Sequence, residues 1–208
     1  MNDDIATCSI CKVAVSTCIC DTIEPIQTAT QVLILRHPQE VKAKFGTANL
    51  IQKLIPHAVL RTGLSWRNLK QAVGFEANPK EWVVLYLGSK KINPLVVACS
   101  DALVFVDKKG VPLTAERTPS DIKGVILLDG NWQQSKALWW RNSWLIKCQR
   151  GVINPQARSL YGKKRREPRK ESISSIEALA EALAFLSGQT EIRDSLLEAF
   201  DSFLKRVK

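Results

Sequence analysis

Along this chain, short unbroken apolar runs alternate with stretches whose apolar residues recur at helical spacing. QVLILRH (31–37), AVLRT (58–62), WVVLYLG (82–88), ALVFVD (102–107) and GVILLD (124–129) are too short for buried helices and rich in β-branched residues, which predicts strands. FGTANLIQKLI (45–55) and SWRNLKQAV (65–73) have helical spacing, and another helix is expected from about Trp132. GVILLD is the most continuous run, a pattern that suits a strand buried on both faces of a parallel sheet. Two amphipathic stripes close the chain. The first carries Ile176, Leu179, Ala180, Leu183 and Ala184, and the second Ile192, Leu196, Ala199, Phe200, Phe203 and Leu204. Ser174 and Glu177 stand at the spacing of a capping box, and Gly188 is a natural stop. The alternation predicts one α/β domain with a mostly parallel sheet and C-terminal helices over residues 25–208, behind a cysteine-rich leader over residues 1–24.

The bulk numbers sharpen this. A chain of 208 residues, 45% hydrophobic and 24% charged, is ordinary globular material. Thirty Lys and Arg against twenty Asp and Glu give a net charge of +10, which favours a polyanionic partner such as nucleic acid. The N-terminus MNDDIATCSI has no apolar signal core, and no apolar run approaches the ~20 residues that cross a bilayer. The expectation is a cytoplasmic protein with no membrane attachment, no evident obligate protein partner, and reduced thiols.

Three features carry candidate chemistry. Cys8, Cys11, Cys18 and Cys20 have the spacing C-x2-C-x6-C-x-C, which suits a closed tetrahedral zinc site of structural type, with an iron–sulfur cluster as the alternative. Lys163, Lys164, Arg165, Arg166, Arg169 and Lys170 crowd into eight residues between ordered-looking elements. Such a segment meets phosphates, and Tyr161 beside it is placed to stack on a base. Asp129 ends the most apolar strand, where ligands collect in open α/β sheets, and Gly130 lets the chain turn there. Asp129 either serves a ligand or caps the next helix. Trp132, Trp139 and Trp140 read mainly as core, with Trp132 nearest the turn and a ligand. His37, with Pro38 and Glu40 after the first strand, reads as structural. No G-x-G-x-x-G or P-loop is present.

Together these segments resemble the DTW-domain family of tRNA-uridine aminocarboxypropyltransferases. CSICKVAVSTCIC is similar to its cysteine motif, LRHPQEVKAKFGTANLI to its H-P-x-E segment and Thr-containing helix, LLDGNWQQSKAL to its D-x-T-W signature, and SLYGKKRREPRKESISSIEAL to its closing R-x-E-P and S-T-x-E-A segment. Asn131 and Ser175 stand where the family has Thr, and Ala14 where it has Pro. The resemblance implies a SPOUT-related fold whose C-terminal part is knotted around S-adenosylmethionine. It implies transfer of the 3-amino-3-carboxypropyl group to N3 of a tRNA uridine, in the variable loop for bacterial members and in the D loop for eukaryotic ones. The by-product is 5′-methylthioadenosine.

On that reading Asp129 is the base or N3 partner, or else holds the cofactor's ammonium or ribose. Leu87, Gly88 and Gly130 border the adenosine, and Trp132 either packs on it or only supports the turn. Ser174, Ser175 and Ile176 offer helix-start N–H groups to the carboxylate. Lys163, Lys164, Arg165, Arg166 and Arg169 face tRNA phosphates, and one of the arginines the transferred carboxylate. Two other readings fit the same residues: a SPOUT-like RNA methyltransferase, and a zinc-containing RNA-binding module without catalysis.

Overall fold

Six strands form one sheet: β1 (Gln31–Arg36), β2 (Val59–Thr62), β3 (Trp82–Leu85), β4 (Leu103–Val106), β5 (Gly124–Asp129) and β6 (Gln149–Ile153). Their order is β2-β1-β5-β3-β6-β4, with every pairing parallel except the edge pair β4–β6. This computed structural model describes residues 6–9, 14–15, 18–21, 23–43, 46–85, 93–113, 119–154, 159–161 and 173–206. Among these residues the α-helices are α1 (Ala48–Leu54), α2 (Leu69–Val73), α3 (Pro94–Val97), α4 (Trp132–Arg141), α5 (Ser175–Ser187) and α6 (Thr190–Arg206).

β5 is buried along its whole length, as its unbroken apolar pattern requires of a central strand flanked on both sides. Its side chains alternate between two cores. Val125 and Leu127 join Val32, Ile34, α1, α5 and α6 on one face, while Ile126 and Leu128 join Leu33, Leu35, α2 and α4 on the other. The result is a three-layer α/β/α body. α5 lies on the sheet with α6 outside it, and the stripes named from sequence are the buried faces of both.

Local chemistry fixes where these helices begin and end. Ser174 Oγ accepts from Glu177 N at 3.2 Å and Glu177 Oε2 accepts from Ser174 N at 2.7 Å, the capping box expected from sequence. α5 stops at Gly188, whose φ of 71° is left-handed and favours glycine. α4 starts with a second box, in which Asn131 Oδ1 accepts from Gln134 N at 3.1 Å and Gln134 Oε1 from Asn131 N at 2.6 Å. Each cap is worth about 1 kcal/mol to its helix.

The leader is tied to the C-terminal helix. Thr7 and Ala14 form an antiparallel bridge, and Ile19 is buried in the main core. Arg206 at the end of α6 donates to the carbonyl of Cys18 and lies 3.7 Å from Asp21 Oδ1.

Some expectations need correction. β6 was not anticipated: Gln149, Arg150 and Gly151 have no strand pattern, and the strand exists because β3 and β4 flank it. The helix expected over 65–73 starts only at Leu69, because Asn68 caps it and Asn142 holds the preceding loop. The three tryptophans are not all core. Trp139 is buried under the Arg150 guanidinium, which sits 4.7 Å from its ring, but Trp140 is 71% exposed. Among the described residues no helix is long and apolar enough to cross a membrane.

Candidate active site at the carboxyl edge of the sheet

The site gathers where β1, β2 and β5 end. Asp129 is the last residue of β5 and is only 6% exposed. By the alternation along β5 it falls on the α1/α5 face, and there Ser175 Oγ donates to its Oδ1 at 3.0 Å. Ser175 is the first residue of α5, so this bond joins the central strand to the helix start across 46 residues of sequence. Ile176 is fully buried on the core side, which seats the first turn of α5 firmly against the sheet.

The turn after Asp129 is braced from the other side. His37 N donates to the Asp129 carbonyl at 2.9 Å, and Ser135 Oγ donates to the carbonyls of Leu128 and Gly130 at 3.0 and 3.2 Å. Gln134, buried by its capping box, also donates through Nε2 to Gln39 Oε1 at 3.1 Å. Gly130 was expected to supply a sharp turn, yet it is not among the positive-φ glycines. Its reason is room: a Cβ there would lie 2.7 Å from Gln134 Cβ. Asp129 is not the helix cap, because Asn131 fills that role. Trp132, half-buried at the first position of α4, stands beside this turn.

His37 Nδ1 accepts from Gln39 N at 3.3 Å and caps the 3-10 turn Pro38–Lys42, a structural contact of the kind expected of it. The neighbouring Arg36 was missed from sequence. Its Nε and Nη2 donate to Thr62 Oγ1 at 3.0 and 2.9 Å, and its Nη1 donates to Asn49 Oδ1 at 2.9 Å. The available signal was a cation directly after four buried apolar residues, at the carboxyl end of a parallel strand.

Ser174 and Glu177 form a clasp next to this site. Beyond the capping box, Glu177 accepts from Ser159 Oγ at 2.8 Å and Leu160 N at 2.6 Å. One buried carboxylate therefore fixes both described stems, 159–161 and 173–174, of the basic segment. Lys163, Lys164, Arg165, Arg166 and Arg169 lie outside the described residues, as do Leu87 and Gly88. Tyr161 does not offer the expected stacking face. It is 4% exposed and meets Phe200 edge-on, ring centroids 5.1 Å apart.

In the leader, the Sγ atoms of Cys8, Cys18 and Cys20 lie within 4.8 Å of one another, and none of the three is disulfide-bonded. Sulfurs bound to one tetrahedral zinc sit roughly 3.8 Å apart, given Zn–S bonds of ~2.3 Å, so this trio fits a metal with little adjustment. Cys11 lies outside the described residues. The two remaining cysteines differ in kind. Cys99 donates to the Leu95 carbonyl, and burial pushes the Cys148 thiol up to about 12.

The arrangement is a buried carboxylate and a clamped guanidinium on one sheet edge, facing a helix start whose first N–H groups have no intrahelical partners. It can orient a small zwitterionic group and receive a proton. The chain is 23% identical over 208 residues to a Drosophila melanogaster protein named tRNA-uridine aminocarboxypropyltransferase 2, covering 95% of this chain and 73% of that one. Proteins of the same name from Macaca fascicularis and Mus musculus are each 24% identical over 195 residues, and the chain spans 59% of their length. No solved structure matches. The DTW-domain model matches residues 5–208, which takes in the cysteine leader, the Asp129 turn and the Ser174–Glu177 clasp alike, and the chain belongs to the DTW-domain family.

Proposed function

We propose that this protein modifies tRNA by transferring the 3-amino-3-carboxypropyl group of S-adenosylmethionine to N3 of a uridine. The carrying observation is the Asp129–Ser175 bond, which places a buried carboxylate at the ligand edge of the sheet, inside a chain matched end to end by the DTW domain. When bound, the cofactor supplies a sulfonium-activated γ-carbon. The new bond joins that carbon to N3, the carbon–sulfur bond breaks, and 5′-methylthioadenosine leaves. The N3 proton needs an acceptor, and Asp129 takes it. Ser175 orients that carboxylate, and the start of α5 offers N–H groups to the anionic end of the transferred group.

The RNA side rests on charge. From Gly130 to Arg166 the sequence contains no Asp or Glu, while it includes Lys136, Arg141, Lys147 and Arg150 before the basic segment. Lys136 and Trp140, one turn apart on α4, are both exposed. A uridine in a loop is unpaired, so its Watson–Crick edge reaches such a site at little cost. A position in the variable loop if the chain is bacterial, the SPOUT kinship and the knotted C-terminal part belong to the same proposal. So does a structural zinc on Cys8, Cys11, Cys18 and Cys20.

The test is incubation with S-adenosylmethionine and unmodified tRNA, followed by nucleoside mass spectrometry. A uridine gain of the aminocarboxypropyl mass supports the reading. A methyl gain would make the protein a methyltransferase, and no gain with intact tRNA binding would leave an RNA-binding module.

A further inference from the structure

We infer that Arg36 is the residue that binds the carboxylate of the aminocarboxypropyl group; this rests on the proposed function above. Arg36 pairs in register with Asp129 on the neighbouring strand. By period two both project to the α1/α5 face, since Ile34 and Leu127 lie in that core. Its guanidinium is held in place by two uncharged acceptors, Thr62 Oγ1 and Asn49 Oδ1. Among the described residues no carboxylate lies within ion-pair distance of it. Three of its five N–H donors are engaged, leaving two for an anion.

A half-buried, pre-oriented arginine without an acidic partner is poised for a planar carboxylate. The spacing suits the group. Neighbouring strands lie about 4.8 Å apart, so a three-carbon chain lying across β1 and β5 puts its reacting carbon by Asp129 and its carboxylate by Arg36. The N–H groups of Ser175 and Ile176, at the start of α5, face the same edge through the Ser175–Asp129 bond. Such a contact fixes the carbon chain of the cofactor at its carboxylate end and so sets where its γ-carbon lies.

The experiment measures binding of three probes by calorimetry to wild-type protein, Arg36→Gln and Arg36→Lys. S-Adenosylhomocysteine carries both amine and carboxylate, decarboxylated S-adenosylmethionine keeps the amine alone, and 5′-methylthioadenosine lacks the whole group. Arg36→Gln should weaken S-adenosylhomocysteine on the order of 10- to 100-fold, the range of one charged hydrogen-bonded contact. It should leave the other two probes nearly unchanged, and Arg36→Lys should fall between. Equal losses for all three probes would make Arg36 a structural residue and overturn the inference. So would unchanged S-adenosylhomocysteine binding. Wild-type protein that bound none of the probes would instead overturn the cofactor reading itself.

Discussion

Ser175 Oγ stands 3.0 Å from Asp129 Oδ1, and this one bond links the signature turn after β5 to the start of α5. A carboxylate only 6% exposed is costly to bury, and a purely structural aspartate would be better replaced by an apolar residue. Asp129→Asn keeps the shape and removes the charge. With Asp129 as proton acceptor, turnover on tRNA should fall roughly 10²- to 10⁴-fold, with tRNA affinity little changed. Ser175→Ala should cost far less, roughly tenfold, since it only frees the carboxylate to reorient. Single-turnover rates beside melting temperatures separate the cases. A near-wild-type rate for Asp129→Asn would refute the role.

Glu177 gives a prediction of a different sort. Its carboxylate holds Ser159, Leu160 and Ser174, the stems on either side of the basic segment. Glu177→Ala leaves those donors without their acceptor and should lower stability by ~1–3 kcal/mol in urea melts. It should also weaken tRNA binding, because the basic segment loses its common anchor. A stability loss with unchanged tRNA affinity would confine Glu177 to capping.

Much of this architecture was legible in the sequence because local signals and burial agree there. GVILLD is apolar up to its closing Asp129 and is the buried central strand; Ser174, Glu177 and Gly188 are the cap and stop they spell out. What escaped was set by neighbours distant in sequence. Gln149–Ile153 is a strand only because β3 and β4 flank it, with Gly151 packed against Leu103 and Val83. Tyr161 looked like a stacking ring beside lysines, yet Phe200, from α6, claims it for the core. Arg36 gave no motif of its own; its meaning comes from Thr62, Asn49 and the register with Asp129.

The cysteines should separate by reactivity. Desolvation raises the Cys148 thiol to about 12, so at pH 8 almost no thiolate forms. Alkylation of native protein with iodoacetamide should spare Cys148. Because its folded value lies above the 9.0 of an ordinary thiol, Cys148 leaves stability untouched below pH 9 and erodes it as pH rises from there towards 12. Chelation should make Cys8, Cys18 and Cys20 newly reactive, as mass mapping of labelled peptides would show. Rapid labelling of Cys148 in folded protein would contradict its burial.

Metal removal tests the leader. Cys8, Cys18 and Cys20 bring three sulfurs together, and Cys18 is reached through its carbonyl by Arg206 of α6. Ile19, between Cys18 and Cys20, is 2% exposed in the main core. A metal on these sulfurs therefore stabilises more than the leader: it holds Ile19 in place and so supports the end of α6. Protein purified without added metal should carry about one zinc per chain, and Cys20→Ser should lower that content. Stripping the metal should lower the melting temperature and raise hydrogen exchange in the last turns of α6 as well as in the leader. The cofactor edge, built from β1, β5 and α5, should keep its affinity for S-adenosylhomocysteine, because a closed sulfur site activates no water and serves the fold alone. Unchanged melting and unchanged exchange in α6 after complete removal would show that the sulfurs bear no structural metal.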